Sequence, residues 1–224
     1  MQFVKCDNSF LDTEISLSAE YKDATSNSVV LLGGWKLCKK HDVKWYKQQY
    51  GKVIVFNQEQ LVNRDRNYVS FKYFKMICEA DEVWDYDEYN IRLLRTVRPD
   101  VKLKILKPCK ELDAGCAEKT IDVLFYGVVN DRRRKILDDI VSAGVNITVL
   151  EQVFGEDLNE YISKSKILLN LHKHDTALQE QARLIRWISS GAKIISEKSR
   201  TNYLGVDEVD VGDIPKRLYM EIHK

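Results

Sequence analysis

The chain has 224 residues, 44% hydrophobic and 31% charged, and its 35 basic side chains nearly cancel its 34 acidic ones to leave a net charge of +1. That balance weighs against a general nucleic-acid binder, which would carry a clear basic excess, and no run approaches the ~20 apolar residues of a membrane span. Five scattered cysteines without a CxxC pair argue for free thiols rather than zinc, and the opening MQFVKCDNSF has no apolar signal core, so the expected compartment is cytoplasmic.

Along the chain, short apolar runs alternate with stretches of helical spacing. QFVKC at the start, SVVLLGG (28–34), KVIVFN (52–57), DEVWDY (81–86) and KLKILKP (102–108) read as strands. Between them WKLCKKHDVKWYKQQY, YVSFKYFKMICEA and EYNIRLLRTVRPD place apolar residues three and four apart. KPCKELDAGCAEKT (107–120) has a proline, a glycine and no periodicity, and reads as a linker. The pattern then restarts with strand IDVLFYG (121–127), helix DRRRKILDDIVSAG, strand VNITVLEQV, helix GEDLNEYISKS and strand KILLNLH (166–172). A helix from about Leu178, stopped by Gly191, and strand AKIISE follow, then an acidic tail and a helical IPKRLYMEIHK. Alternation of this kind predicts an α/β fold with parallel sheets covered on both faces. The expected division is two Rossmann-like domains facing across a cleft, 1–106 and 120–200, joined by a linker at 107–119 and followed by a tail helix at 201–224.

Ligands of open parallel sheets bind beyond the carboxyl ends of the strands, which directs attention to the residues there. After strand 121–125 come Tyr126 and Gly127, a capping Asn130 or Asp131, and Arg132, Arg133 and Arg134. Arginine is disfavoured in a helix's first turn, because it meets the positive end of the dipole, so three together suggest an anion, most simply a phosphate. A solvated basic face explains them equally well. Glu151, Gln152, Phe154 and Gly155 follow the next strand and suit the edge of a base, or an ordinary turn. His172 and His174 lie two apart and share a face of an extended strand. No third ligand has metal spacing, so hydrogen bonding to a phosphate or sugar hydroxyl fits better. Glu180 and Arg183 open the next helix, as a hydroxyl acceptor and an anion contact, or as a dipole partner and a surface ion pair. In the first half, Gly33 and Gly34 end a strand where a backbone can approach a ligand. The spacing is neither GxGxxG nor a P-loop. Asn57, Gln58, Glu59 and Gln60 follow a strand, as do Asp85 and Asp87, the last of these above all a helix cap.

Four segments, ADEVWDYDEYNIRLLR, IDVLFYGVVNDRRRKIL, YISKSKILLNLH and EQARLIRWISSGAKIISE, resemble a compact form of the GT-B glycosyltransferases, well over about 80–197 and weakly before. The resemblance implies two Rossmann-like domains, the C-terminal one holding a nucleotide-diphosphate sugar and the N-terminal one a carbohydrate acceptor, with no metal and no cofactor beyond the donor. It assigns Gly127, Asn130, Arg132 and Arg133 to the diphosphate, Glu151, Phe154 and Gly155 to the base, and His172, His174, Glu180 and Arg183 to sugar, ribose or phosphate. Gly33, Gly34, Asn57 and Gln58 fall on the acceptor side, and Glu59, Asp85, Asp87 and His41 are candidates for the base that takes the acceptor proton. Many retaining members carry a second glutamate eight residues after the first. Here that position is Ile188. The expected activity is metal-independent transfer from a UDP-sugar, with a GDP-sugar second, to a hydroxyl acceptor; the alternative is a non-catalytic nucleotide-sugar or sugar binding module of the same fold.

Overall fold

The computed structural model describes residues 1–6, 11–21, 27–61, 70–107, 118–153, 155–175 and 178–224. It divides into two compact units, Met1–Lys107 and Pro108–Lys224. Most of the expected linker, 108–117, lies outside the described residues. Among the described residues no helix is long and apolar enough to cross a membrane.

The first unit is built on a parallel sheet of β1 (Gln2–Lys5), β2 (Ser28–Leu32), β3 (Lys52–Asn57), β4 (Glu82–Asp85) and β5 (Lys102–Leu103), in that spatial order. β2 is buried along its whole length and β3 over all but its first residue, as continuous apolar runs in a two-sided sheet require. Val29, Leu31, Val53, Val55 and Val83 share one face with Leu37 of α2 (Gly34–Leu37), Tyr46 of α3 (Val43–Tyr50), Tyr73, Met76 and Ile77 of α4 (Phe71–Glu79) and Ile91 of α5 (Glu88–Leu94). Asp42, Ser70 and Asp87 each accept a hydrogen bond from a first-turn N–H and so start α3, α4 and α5. Two elements depart from expectation. The strand expected over 102–108 keeps two residues in the ladder, at the sheet edge, where there is one neighbour to hold it. Helix α1 (Leu11–Glu20) has no counterpart in the sequence reading, and it buries the polar Thr13 and Ser16 beside Leu17, which apolar periodicity does not mark.

The second unit has a parallel sheet in the order β10-β9-β8-β6-β7, formed by β6 (Ile121–Tyr126), β7 (Ile147–Leu150), β8 (Ser165–Asn170), β9 (Lys193–Glu197) and β10 (Asp207–Val209). α6 (Asp131–Ser142) and α9 (Ile214–Ile222) pack on the face of Val123, Phe125, Ile167, Leu169 and Ile195. α7 (Gly155–Lys164) and α8 (Gln181–Ser189) cover the face of Leu124, Leu168 and Ile194. Gly144 and Gly191 take φ of 83° and 67° just past α6 and α8, the left-handed stop that glycine makes without a Cβ clash. The last twenty residues are part of this unit rather than an appendage: β10 extends the ladder beside β9, and α9 buries Ile214 and Leu218 completely. α8 starts at Gln181 instead of Leu178, since Glu180 sits outside the helical region at φ −77°, ψ 68°.

Candidate anion site at the switch point of the second sheet

β6 is the first strand of its sheet, and the chain moves from it to β7 on one side and later to β8 on the other. The crossovers on either side of β6 therefore lie on opposite faces, and a crevice opens outside the carboxyl ends of β6 and β8, where doubly wound sheets take their ligands. Tyr126, Gly127, Asn170 and His172 come to that edge, and α6 and α8 begin beside it.

Two arginines converge there on one carboxylate. Arg133, 2% exposed, donates to the Leu171 carbonyl from Nε and Nη2 (3.1 and 2.6 Å), to the Val128 carbonyl from Nη1 (2.8 Å) and to Glu180 Oε1 from Nη2 (3.2 Å). Its guanidinium lies 5.4 Å over the Phe125 ring. Arg183 Nη1 is 2.8 Å from Glu180 Oε2 and donates to Asn170 Oδ1 at 3.1 Å. Its guanidinium lies 5.2 Å over Tyr126, and Asn170 is itself held by donating to Ser196 Oγ at 3.0 Å. Gly127 makes the convergence possible. Its φ is 134°, and a Cβ there would meet Arg183 Nη2 at 3.0 Å and Arg133 Nη1 at 3.5 Å. Burial pulls Arg133 down to about 10, with Arg183 and Arg132 pushing the same way against Glu180. Burial also pushes Glu180 up, but Arg183 and then Arg133 outweigh it and hold the carboxyl below its usual range. At neutral pH the cluster is two cations around one anion, a local excess of positive charge in a chain of net charge +1.

The three consecutive arginines separate, because successive helical residues point about 100° apart. Arg134 is exposed. Arg132 is saturated by its own protein: it pairs with Asp175 and Glu197 and donates to the His172 carbonyl at 2.9 Å, a strut from α6 to the ends of β8 and β9. The same Glu197 accepts from the His172 backbone N–H at 2.9 Å. The His172 ring is 1% exposed, with Nε2 3.2 Å from Ser199 Oγ and a buried Nδ1 that has no hydrogen-bond partner among the described residues. His174 is half-buried. Asn130 caps α6 by accepting from Arg133 N, and donates to the Lys173 carbonyl at 2.8 Å. Glu151, exposed after β7, accepts from Val129 N at 2.7 Å. Gly155 begins α7, and Phe154 lies outside the described residues.

In the first unit the expected residues meet in a buried network. Asp85 accepts from Asn57 Nδ2 (2.6 Å), Asp87 N (2.9 Å) and Asn90 Nδ2 (3.3 Å), and Tyr73 donates its hydroxyl to Asn57 Oδ1 at 2.7 Å. Burial raises Asp85 to about 7, against the lowering effect of those donors. Asp87 is fully buried and caps α5. Glu59 is half-buried, its carbonyl accepting from Asn57 and Asn90, and Gln58 donates to Thr13 Oγ1 at 2.8 Å. Gly33 precedes α2 with φ 75°, and Gly34 lies so close to Tyr73 that a Cβ would be 2.6 Å from its ring. His41 stacks on Trp45 at 3.8 Å. Among the described residues no three His, Cys, Asp or Glu side chains group to hold a metal. Asn90, Asn170 and Glu197 escaped the sequence reading. For Asn170 a signal existed, an amide in the buried run KILLNLH, where an unpaired polar group would be costly.

No family model matches the chain. Three curated relatives come from Acanthamoeba polyphaga mimivirus: the uncharacterized proteins L138, L137 and L140, at 27%, 30% and 25% identity over 72% of this chain. The chain spans 19%, 22% and 54% of their respective lengths. Among solved structures, TarM superposes with a TM-score of 0.58 at 8% identity, over 91% of this chain and half of that one. That likeness and the two five-stranded parallel sheets establish an α/β fold of two Rossmann-like units of the GT-B kind. The accessory secretory proteins 1, 2 and 3 of Streptococcus pneumoniae and a GtfA/B complex bound to UDP and GlcNAc match with TM-scores of 0.41 and 0.37, too low to carry an argument.

Proposed function

We propose that the chain carries a glycosyltransferase activity that takes a sugar from a nucleotide-diphosphate donor, UDP-linked first and GDP-linked second, to a hydroxyl acceptor. The observation that supports it is the Arg133–Glu180–Arg183 cluster around Gly127, at the carboxyl end of the strand where the second sheet reverses direction. Transfer breaks the bond from the anomeric carbon to the diphosphate oxygen, and negative charge grows on the leaving group. Two guanidinium groups in a poorly solvated pocket stabilise that charge without reorganising. His172 Nδ1, buried and without a partner among the described residues, suits a phosphate or hydroxyl oxygen. The acceptor belongs with the first unit in this reading. There Asp85 and Asp87 are committed to structure, which leaves Glu59 and His41 as the candidate bases. A thermal-shift series with UDP, GDP and their sugars tests the donor: a ligand at 100 times its dissociation constant stabilises by ~2.7 kcal/mol. A folded chain indifferent to all of them defeats the reading.

A binding module without turnover is the second reading, and one observation favours it. Ile188, where retaining members carry a glutamate, packs against the apolar cluster of Leu184 and Trp187. Donor binding without release of the nucleotide over hours would decide for this reading.

A further inference from the structure

Glu180 stands in an unusual position for a residue that starts a helix. It precedes α8, yet its side chain makes no capping bond to that helix. Its two oxygens go instead to Arg133 and Arg183, at 3.2 and 2.8 Å. Around it exposure is graded: the Arg133 side chain is 3% exposed, Arg183 17% and Glu180 23%. The Glu180 side chain is thus the least covered of the three, and its carboxylate spans both guanidinium groups, the place an incoming anion would need. Leaving it would break no capping bond of α8, since the Glu180 carbonyl, not its side chain, accepts from Arg183 N and Leu184 N.

We propose that Glu180 is a specificity-determining residue: an internal counter-anion that holds the two arginines until a multiply charged diphosphate displaces it. The inference rests on reading this cluster as the donor's diphosphate site, and deepens it. A singly charged anion gains nothing by exchange, because it replaces one carboxylate-like charge with another and loses its own hydration. A diphosphate brings more charge and more oxygens, enough for both guanidinium groups. Once displaced, Glu180 turns outward as an acceptor for donor hydroxyls. When the product leaves, its return restores the neutralising contact between two cations that would otherwise repel.

Inorganic pyrophosphate, titrated by calorimetry into the wild type and into Glu180→Gln, tests this. The glutamine keeps the shape but not the charge, and its single amide oxygen can accept from only one of the two arginines, so it should bind pyrophosphate about tenfold tighter or more. Formate, compared with chloride at equal ionic strength, should compete with pyrophosphate in Glu180→Gln, where no carboxylate already neutralises the two arginines, and not in the wild type. Equal or weaker binding by a variant of unchanged melting temperature overturns the counter-anion role while leaving the diphosphate site standing. Binding by neither protein overturns both. Should the variant not fold, a crystal structure of the wild type with pyrophosphate decides: Glu180 must have left both arginines, and a carboxylate still bridging them defeats the proposal.

Discussion

Arg183 is held from three sides, by Glu180, Asn170 and the Tyr126 ring, so its removal reads on the anion site only where the melting temperature is unchanged. A charge-assisted bond contributes ~1.5–3 kcal/mol. Arg183→Ala should therefore weaken UDP binding about tenfold or more in calorimetry, by ~1.4 kcal/mol per decade, and leave uridine affinity unaltered. Equal loss for both ligands would place Arg183 at the base rather than the diphosphate. Asp85 offers a test of pH. Its carboxyl is raised in the fold from 3.8 to about 7. The native state thus holds a proton that the unfolded chain has already lost, and this contribution is complete below about pH 4 and disappears as pH rises towards 7. The stability advantage of the wild type over Asp85→Asn in urea should be larger at pH 5 than at pH 8. The reverse order would mean that the donors from Asn57, Asp87 and Asn90 outweigh burial.

Helix α9 shows how an element outside the repeating pattern becomes part of a core. Its apolar residues Ile214 and Leu218, one turn apart, pack with Ile136 and Ile140 of α6. Leu218→Ala leaves a cavity at a site with no exposure, and should lower the unfolding free energy by ~2–5 kcal/mol. A loss below ~1 kcal/mol in urea would show that α9 is dispensable to that unit. The acidic strand β10 behaves similarly. Asp207–Val209 has no apolar run, and β9 beside it supplies the pairing that makes it a strand. Neither element could be ranked with the core from sequence, since a three-residue strand and a nine-residue helix carry too little periodicity to show which partner they will meet.

For the whole chain, metal independence is the prediction that separates this mechanism from its main alternative. The one literal DxD, Asp85-Tyr86-Asp87, has both carboxylates buried and engaged with protein donors. Turnover of a nucleotide-sugar should survive EDTA, with arginines serving the leaving group; loss restored by manganese or magnesium would refute it. The alternation of strand and helix, the glycine stops at Gly144 and Gly191, and the capping roles of Asp87 and Asn130 were all determined by the sequence, because each depends on neighbours a few positions away. The order of strands is not local, and it is the order β10-β9-β8-β6-β7 that puts a crevice above β6 and β8. Likewise three adjacent arginines look equivalent in a string. Only the tertiary structure sends Arg133 inward beside Glu180 and Arg183, commits Arg132 to Glu197 and Asp175, and leaves Arg134 in water. The partners that separate them are 40 to 65 residues away along the chain, where periodicity and spacing carry no information about contact.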